Sequence, residues 1–375
     1  MKWPLGARSA GVHCGIKHKS ADLGAIVFDR PVAWSGVFTT NAAAAAPVGW
    51  CRERTGVDVQ AMVVNSGNAN ACTGAAGAMA VREVAEAVAG TLGCDPTEVL
   101  VASTGPIGVP LPVPKIVGSL PDLFRSLSGE VSDFARSIMT TDTTLKTVEV
   151  SAGPARLVGV AKGAAMIAPN MATMLAFLVT DAAVPGWELQ EILAPAVERS
   201  FNRISIDACE STNDSVFLFS TGNAPYDPEA LAAAVEAACL DLAHQIVSDA
   251  EGGTKVIEVF VTGARDEAHA VALARAVTAS DLWRAAAHGG DPNWGRILSA
   301  MGAADRDLDI STVTISLGET TVFEHGEPRS VDASSVMSSD RILVSCALSA
   351  GDGSARFWCS DLSEEYVTLN AEVTT

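Results

Sequence analysis

Thr173 is the residue whose type and setting best suit nucleophilic chemistry. It lies between Ala172 and the apolar run 174–179, which predicts a buried strand, while Gly163 and Pro169-Asn170 upstream predict turns. A threonine hydroxyl needs a base, and the residue's own α-amine, with an ordinary pKa of about 7.7–8.0, can serve. An internal threonine gains that amine only if the bond after Ala172 is cut. Alone, the local sequence favours the simpler interpretation that Thr173 opens a core strand.

Three polar segments could supply other groups for acyl transfer. Residues 102–108, Ala-Ser-Thr-Gly-Pro-Ile-Gly, follow a predicted strand and offer a hydroxyl and a glycine N–H at one tight turn, the kind of donors that stabilise an oxyanion. Residues 140–143, Thr-Thr-Asp-Thr, could instead cap a helix, and residues 249–255 could be an ordinary loop before a strand. Each segment therefore has a structural explanation of its own.

Composition excludes several classes of protein. The net charge of −19 is spread along the chain, which argues against nucleic acid or an anionic membrane as partner. The eight cysteines form no CxxC pair and the six histidines no HExxH spacing, so neither a metal site nor a disulfide framework is indicated. Nucleotide-binding glycine motifs are missing, and we expect no cofactor. Without a leader or a membrane-spanning apolar run, we expect a cytoplasmic protein.

Strands and helices alternate along the chain, and its 375 residues suggest two cores or one large layered core. Strands are predicted at 61–65, 99–102, 157–160, 215–219 and 255–261. Helices are predicted at 79–92, 187–201, 228–247 and 267–287, the third opening with Asp227-Pro228 as N-cap and first-turn proline. From about residue 310 the pattern is β-rich, with strands at 313–317, 321–323, 342–346 and 355–359. The expected fold class is a layered α/β (α+β) architecture.

Taken together, the segments resemble the ornithine acetyltransferases, which are glutamate N-acetyltransferases of cyclic arginine biosynthesis. The resemblance runs from Gly11 to Thr375 and lies in the order and spacing of its motifs. These are GVFTTN from Gly36, VVNSGNANACTG from Val63, ASTGPIGVPLP from Ala102, MTTDTTLK from Met139, AKGAAMIAPNMATMLAFLVTDA from Ala161, SFNRISIDACESTNDS from Ser200, SDAEGGTK from Ser248, DPNWGRI from Asp291 and CSDLSEEYVTLNAEVTT from Cys359.

The resemblance implies a role for each matching position. Thr173 matches the family's nucleophile, freed by autoproteolysis of the bond between Ala172 and Thr173, and Thr104 with Gly105 matches the oxyanion hole. Five further positions match residues that contact the substrate together with Thr173: Thr140, Lys162, Glu251, Asn370 and Thr375. Chemically, a lysine suits a carboxylate and Glu251 suits a cationic amine.

The implied fold is the family's α/β sandwich, of the ornithine acetyltransferase and L-aminopeptidase D-esterase type. An α chain of residues 1–172 and a β chain of residues 173–375 would stay associated, assembling further as an α2β2 heterotetramer. The implied reaction moves acetyl from N2-acetylornithine to glutamate by a ping-pong mechanism without cofactor.

Four alternatives remain open at this point. They are a bifunctional enzyme that also uses acetyl-CoA, a secondary-metabolism paralogue, a self-processing aminopeptidase that uses water as acceptor, and an uncleaved scaffold protein. The sequence also departs from the family at two places. Ala165 stands where glycine is common, which bears on self-cleavage, and Glu210 is an unusual choice in its motif.

Overall fold

The computed structural model describes residues 1–167 and 174–372. Its strands are β1 (Ala7–Val12), β2 (Leu23–Phe38), β3 (Val59–Ser66), β4 (Val99–Thr104), β5 (Lys146–Ala152), β6 (Ala155–Lys162), β7 (Leu175–Ala182), β8 (Ile204–Ser205), β9 (Ser215–Ala224), β10 (Val256–Ala264), β11 (Thr314–Leu317), β12 (Thr320–Glu324), β13 (Glu327–Pro328), β14 (Arg341–Ala347) and β15 (Gly353–Ser360). The helices are α1 (Ala46–Arg52), α2 (Gly74–Leu92), α3 (Val113–Arg125), α4 (Ser132–Ile138), α5 (Glu188–Arg199), α6 (Pro228–Ser248), α7 (Glu267–Thr278), α8 (Asp281–His288), α9 (Trp294–Ala304), α10 (Ser334–Met337) and α11 (Glu364–Glu372).

The first sheet has the strand order β4-β3-β2-β9-β7-β6-β5, with β1 paired to β2. Its interior strand β7 is buried along its whole length and lies between β6, antiparallel, and β9, parallel. Successive side chains of a strand point to opposite faces. Phe177 and Val179 therefore join a core with helices α1 to α4, whereas Leu178 and Ala182 join a second core with α5 and α6. Helices thus cover both faces of this sheet.

The second sheet has the order β13-β12-β11-β14-β10-β15-β8. Its apolar face packs against α7, α8 and α9 in a third core that includes Val259, Ile315 and Trp283. Helix layers around mixed sheets, with strands concentrated after residue 310, confirm the predicted α/β (α+β) layered architecture and its β-rich C-terminal section.

The predicted boundary between the α and β chains crosses the first sheet. Strands β1 to β6 precede residue 172, whereas β7 and β9 follow it, yet β7 pairs with β6 and β9 pairs with β2. Within the described residues, the two predicted chains are therefore interleaved in one sheet and do not form separate layers.

Most predicted elements are present, with one correction. The helix predicted over 267–287 is two helices, because the Ser280 hydroxyl accepts the Trp283 N–H and caps a new helix at α8. The alternative of a helix cap at 140–143 is excluded among the described residues: this segment follows α4 and leads into β5, and the Asp142 carboxylate accepts the Thr140 N–H. The predicted Asp227 cap is confirmed, since its side chain accepts the Ala230 N–H.

Among the described residues, helix α6 is long and apolar enough to cross a membrane, with a mean hydropathy of 1.4. The sequence analysis identified no such run. Half of that apolar window is buried in the protein, where α6 contributes Leu242 and Ile246 to the core shared with the sheet and α5. This packing accounts for its apolar composition.

Candidate active site

The turn after β4 presents Thr104 and Gly105, the predicted oxyanion pair. Thr104 ends the strand and is buried. Gly105 has φ of 138°, and a Cβ there would lie 2.4 Å from the Asn68 backbone nitrogen and 2.6 Å from the Gly67 carbonyl carbon. Only glycine fits this close approach of two backbone segments. Because residue 105 has no Cβ, its backbone can pass this close to Gly67 and Asn68.

Lys162, the last residue of β6, contacts this turn. Its ammonium Nζ donates to Thr104 Oγ1 at 3.1 Å, and both side chains are almost wholly buried. The lysine supplies the hydrogen in that contact, so the hydrogen of the Thr104 hydroxyl remains available to another acceptor. Lys162 also lies opposite Leu175, the first residue of β7, across the β6–β7 ladder. Lys162 thus connects the predicted oxyanion pair with the start of β7.

A buried ionic cluster lies beneath these residues. Lys146 Nζ contacts Asp142 Oδ1 at 2.7 Å and Asp249 Oδ2 at 2.5 Å, and the lysine side chain is fully buried. The Asp142 carboxylate also accepts the Gly163 N–H at 2.7 Å and the Thr140 N–H at 3.0 Å. A single carboxylate therefore fixes the backbone beside Lys162 and the backbone of Thr140.

Charges in this cluster shift the pKa values of its members. Burial raises the pKa of Asp142, but the positive charges of Lys162 and Lys146 and the Gly163 N–H outweigh it, so the pKa falls to about 2. Burial lowers the pKa of Lys162 below its ordinary value, and the Asp142 charge opposes this change. Asp142 therefore remains ionised at neutral pH and holds positive charge beside Thr104.

Glu251 and Asn370 form a second group at the mouth of a neighbouring cavity. Asn370 Nδ2, on α11, donates to Glu251 Oε2 at 3.1 Å. Both residues line a cavity of about 540 Å³ together with Thr141, Thr143, Asp249 and Glu365, among others. The carboxylates of Glu251 and Glu365 on this wall favour a cationic ligand group, whereas the Asp249 charge is already paired with Lys146. No hydrogen bond between described residues joins this pair directly to Thr104 or Lys162.

Two backbone links connect the groups. The Glu251 N–H donates to the Ala164 carbonyl at 2.9 Å, immediately after Lys162 and Gly163. The adjacent Asp249 carboxylate is part of the ionic cluster and accepts the Thr143 N–H at 3.0 Å. The structure thereby links six predicted site residues. Lys162 contacts Thr104 next to Gly105, Asp142 binds both Thr140 and the backbone beside Lys162, and Glu251, bonded to Asn370, is tied to Ala164.

The loop before β9 contributes groups that the sequence analysis did not assign to the site. Asn213 Nδ2 donates to the carbonyls of Ala69 (2.7 Å) and Ser103 (2.9 Å), which ties this loop to the end of β4. The buried Asp214 accepts the Met174 N–H at 2.9 Å. The available signal was the motif itself: Asp142 and Lys146 lie in MTTDTTLK, and Asn213 and Asp214 in SFNRISIDACESTNDS.

Three predicted site residues lie outside the described residues. They are Ala172 and Thr173, which flank the predicted cut, and Thr375 at the C-terminus. The described neighbours on either side of the first two are Ile167 and Met174, and Met174 directly precedes β7.

A larger cavity, of about 850 Å³, lies between α5, α6 and the second sheet and contains none of the predicted residues. Its arginines are ion-paired: Arg199 with Glu236, Arg203 with Glu267, Arg265 with Asp305 and Arg356 with Glu258.

Among the described residues, no group of three or more His, Cys, Asp or Glu is arranged to hold a metal ion. The chemistry available at the β4–β6–β7 junction is hydrogen-bond donation to a developing oxyanion beside a buried cation.

Comparisons with known proteins give one consistent family. The model of the ArgJ family matches residues 8–375. The arginine biosynthesis bifunctional protein ArgJ of Thermosynechococcus vestitus is 43% identical over 99% of this chain and 96% of its own length. The protein of that name from Thermus thermophilus is 42% identical over the full length of both chains. A crystal structure of ArgJ from Bacillus halodurans is 35% identical, covers 52% of this chain and 98% of its own, and has a TM-score of 0.50.

Proposed function

The chain belongs to the ArgJ family of acetyltransferases in arginine biosynthesis, and we propose that it transfers acetyl from N2-acetylornithine to glutamate. Thr173, freed by cleavage after Ala172, would carry the acetyl group. The observation that carries this proposal is the contact of Lys162 with Thr104 beside the first residue of β7. It supports a site in which oxyanion donors and the new N-terminus meet.

The proposed reaction has two half-reactions. The Thr173 oxygen attacks the acetyl carbonyl, its own α-amine takes the hydroxyl proton, and the Thr104 hydroxyl with the Gly105 N–H stabilises the oxyanion. The C–N bond of acetylornithine then breaks, and ornithine leaves with that proton on its amine. Glutamate's amine next attacks the acetyl ester, and the bond between the acetyl carbon and the Thr173 oxygen breaks. The amine's proton returns to that oxygen, and N-acetylglutamate leaves.

Recognition of the substrates would divide between the two groups of side chains. Lys162 and Thr140 would meet polar atoms of the acylated amino acid near the reacting carbonyl, since Lys162 contacts Thr104 and Asp142 ties Thr140 to the backbone beside Lys162. Glu251, with Asn370, would meet the cationic side-chain amine of ornithine in the 540 Å³ cavity. Thr375 is proposed as a further substrate contact on the family resemblance alone.

The interleaved sheet supports continued association of the α and β chains. Cutting before Thr173 would leave β7 paired with β6 and β9 paired with β2, so the first sheet would still be built from both chains. The α2β2 assembly and the cytoplasmic location stay predictions. Size-exclusion chromatography with light scattering would test the assembly.

Intact-mass spectrometry under denaturing conditions tests the proposal directly. We expect two fragments meeting between Ala172 and Thr173, and on addition of N2-acetylornithine without glutamate, one acetyl group on the C-terminal fragment. Thr173→Ala is the control and should give one chain without acetylation or transfer. Normal transfer by that variant would refute Thr173 as nucleophile. Acetate release without glutamate would favour a water-using hydrolase.

A second candidate is the additional use of acetyl-CoA as donor, favoured by the word bifunctional in the names of relatives that match nearly the whole chain. Purified enzyme incubated with acetyl-CoA and glutamate should then release free CoA and N-acetylglutamate. CoA release no faster than from the Thr173→Ala protein would exclude this second activity.

A further inference from the structure

One loop, residues 206–214 between β8 and β9, holds both flanks of segment 168–173. On the upstream flank, the Asp207 carboxylate accepts the N–H groups of Met166 (2.5 Å) and Ile167 (2.8 Å). On the downstream flank, Asp214 Oδ1 accepts the Met174 N–H at 2.9 Å. The chain on each side of the predicted cut is thus tied to an aspartate of the same loop.

Asp214 is an unusual carboxylate. It is completely buried, and within the described part of the chain its Oδ2 has no hydrogen-bond partner. Burial raises its pKa well above the ordinary value, and the N–H groups of Met174 and Ser211 and the Lys162 charge only partly oppose this effect. Buried polar atoms without hydrogen-bond partners are rare and cost folding free energy, so the Asp214 Oδ2 atom calls for a functional explanation.

Self-cleavage needs a base that the later acetyl transfer does not. Before the cut, the Thr173 nitrogen is an amide, and an amide cannot take the hydroxyl proton. Attack of the hydroxyl on the Ala172 carbonyl also requires a proton for the departing nitrogen. A second group must therefore serve the first reaction. Thr173 shares its peptide bond with the Met174 nitrogen, the atom that Asp214 already binds.

We propose that Asp214 is the proton carrier for cleavage of the bond between Ala172 and Thr173, an assignment that rests on the function proposed above. The Thr173 oxygen bonds to the Ala172 carbonyl carbon while its proton passes to Asp214 Oδ2. The C–N bond then breaks, and the nitrogen takes that proton to become the α-amine. A water molecule hydrolyses the resulting ester, freeing the Ala172 carboxylate and restoring the Thr173 hydroxyl.

Other ionisable groups nearby are committed to different contacts. Both oxygens of Asp207 accept backbone N–H groups. Asp142 is held ionised by Lys146 and Lys162, and the Lys162 ammonium donates to Thr104. Because general bases work best with a pKa near the operating pH, the raised pKa of Asp214 also suits proton transfer better than an ordinary aspartate would.

The test follows cleavage of the full chain by intact mass after cell-free synthesis. Asp214→Asn keeps the shape and the acceptor for Met174 N–H but cannot carry the proton, and we expect cleavage to slow by about a hundredfold or more. Asp181→Asn is the matched control. Asp181 is another buried aspartate that accepts a backbone N–H, from Arg156 at 2.7 Å, and this variant should cleave at the wild-type rate.

A second pair keeps the proposal testable if Asp214→Asn does not fold. Asp214→Glu and Asp214→Gln are equal in size, so the proposal predicts measurable cleavage for the glutamate variant and at least tenfold slower cleavage for the glutamine variant. Equal rates within this pair, or wild-type cleavage by folded Asp214→Asn, would refute the role of Asp214. A wild-type chain that never cuts before Thr173 would instead refute the proposed function itself.

Discussion

Replacement of Lys146 by methionine tests whether the buried ionic cluster maintains the candidate site. Lys146 is fully buried and contacts two carboxylates, Asp142 and Asp249, at 2.7 and 2.5 Å. Methionine has a similar length and fills the same space without charge. The substitution therefore removes the shared cation and leaves both carboxylates in place.

The expected loss of stability follows from these contacts. Breaking a buried ion pair from one side costs about 3–5 kcal/mol, because the remaining charge is uncompensated. The drop in the pKa of Asp142 from 3.8 to about 2 corresponds to roughly 2 kcal/mol, but Lys162 and the Gly163 N–H supply part of it and remain in the variant. We therefore expect a loss near 3 kcal/mol. At roughly 2 °C per kcal/mol, Tm should fall by about 6 °C.

Differential scanning calorimetry and steady-state kinetics measure the two expected effects. Asp142 fixes the Thr140 backbone and Asp249 binds Thr143 near Glu251, so KM for N2-acetylornithine should rise more than kcat falls. Lys2→Met is the control, because Lys2 is exposed and its pair with Glu130 spans 3.8 Å; its Tm should change by less than about 2 °C.

A double variant checks the cause of the loss. Asp249→Asn in the Lys146→Met background removes one of the two uncompensated charges, so it should recover part of the lost Tm. A Lys146→Met protein with unchanged Tm and KM would refute the argument that this cluster supports the site. A fall in Tm that Asp249→Asn deepens would show that packing, and not charge, is what the lysine provides.

Three further predictions concern the same region. Gly105→Ala should lower kcat by roughly a hundredfold or more, because its Cβ would lie 2.4 Å from the Asn68 nitrogen. Gly108→Ala is the matched control: it also places alanine at a positive φ, of 79°, but its Cβ meets no atom within 4 Å, so it should retain activity in the same acetyl-transfer assay. Thr104→Val should lower kcat by about 10² to 10³ without preventing folding, and Thr104→Ser should keep most of it. Asp142 has a lowered pKa, so its contribution to stability is present above pH 3.8 and lost as pH falls towards 2. The difference in unfolding free energy between wild type and Asp142→Asn, measured by urea unfolding, should therefore shrink over that pH range. A difference that stays constant would contradict the lowered pKa.

The sequence predicted those parts of the fold that depend on local pattern. The apolar run 174–179 became the buried strand β7, and the Asp227-Pro228 start of α6 was correct because cap and proline act locally. Strand β2, which is 16 residues long, is not among the predicted strands, because its first part pairs with β3 and its second part with β9. Such a change of partner is a tertiary property and leaves no periodic signal.

The sequence motifs selected residues of the candidate site, but they did not reveal the hydrogen bonds and ion pairs that link them. Thr104, Gly105 and Lys162 were found through motif order, and the structure brings them together. The helix cap that residues 140–143 offered as an alternative rests on the composition of an isolated Thr-Thr-Asp-Thr segment, and it names no partner for Asp142. Its real partners, Lys146 and Gly163, come from β5 and the end of β6, and only the folded chain reveals that three segments share one carboxylate.

The position of the predicted cut has a physical rationale in the sheet. Cleavage before Thr173 would create a chain end just ahead of β7, a strand that is buried along its length and paired on both sides. Side chains supported by strands are held more precisely than those on free loops. Met174 adds a further anchor, since Asp214 and the Ser215 N–H bind its backbone. Cleavage there would give residue 173 a free α-amine while the strand that follows stays paired on both sides and anchored at Met174.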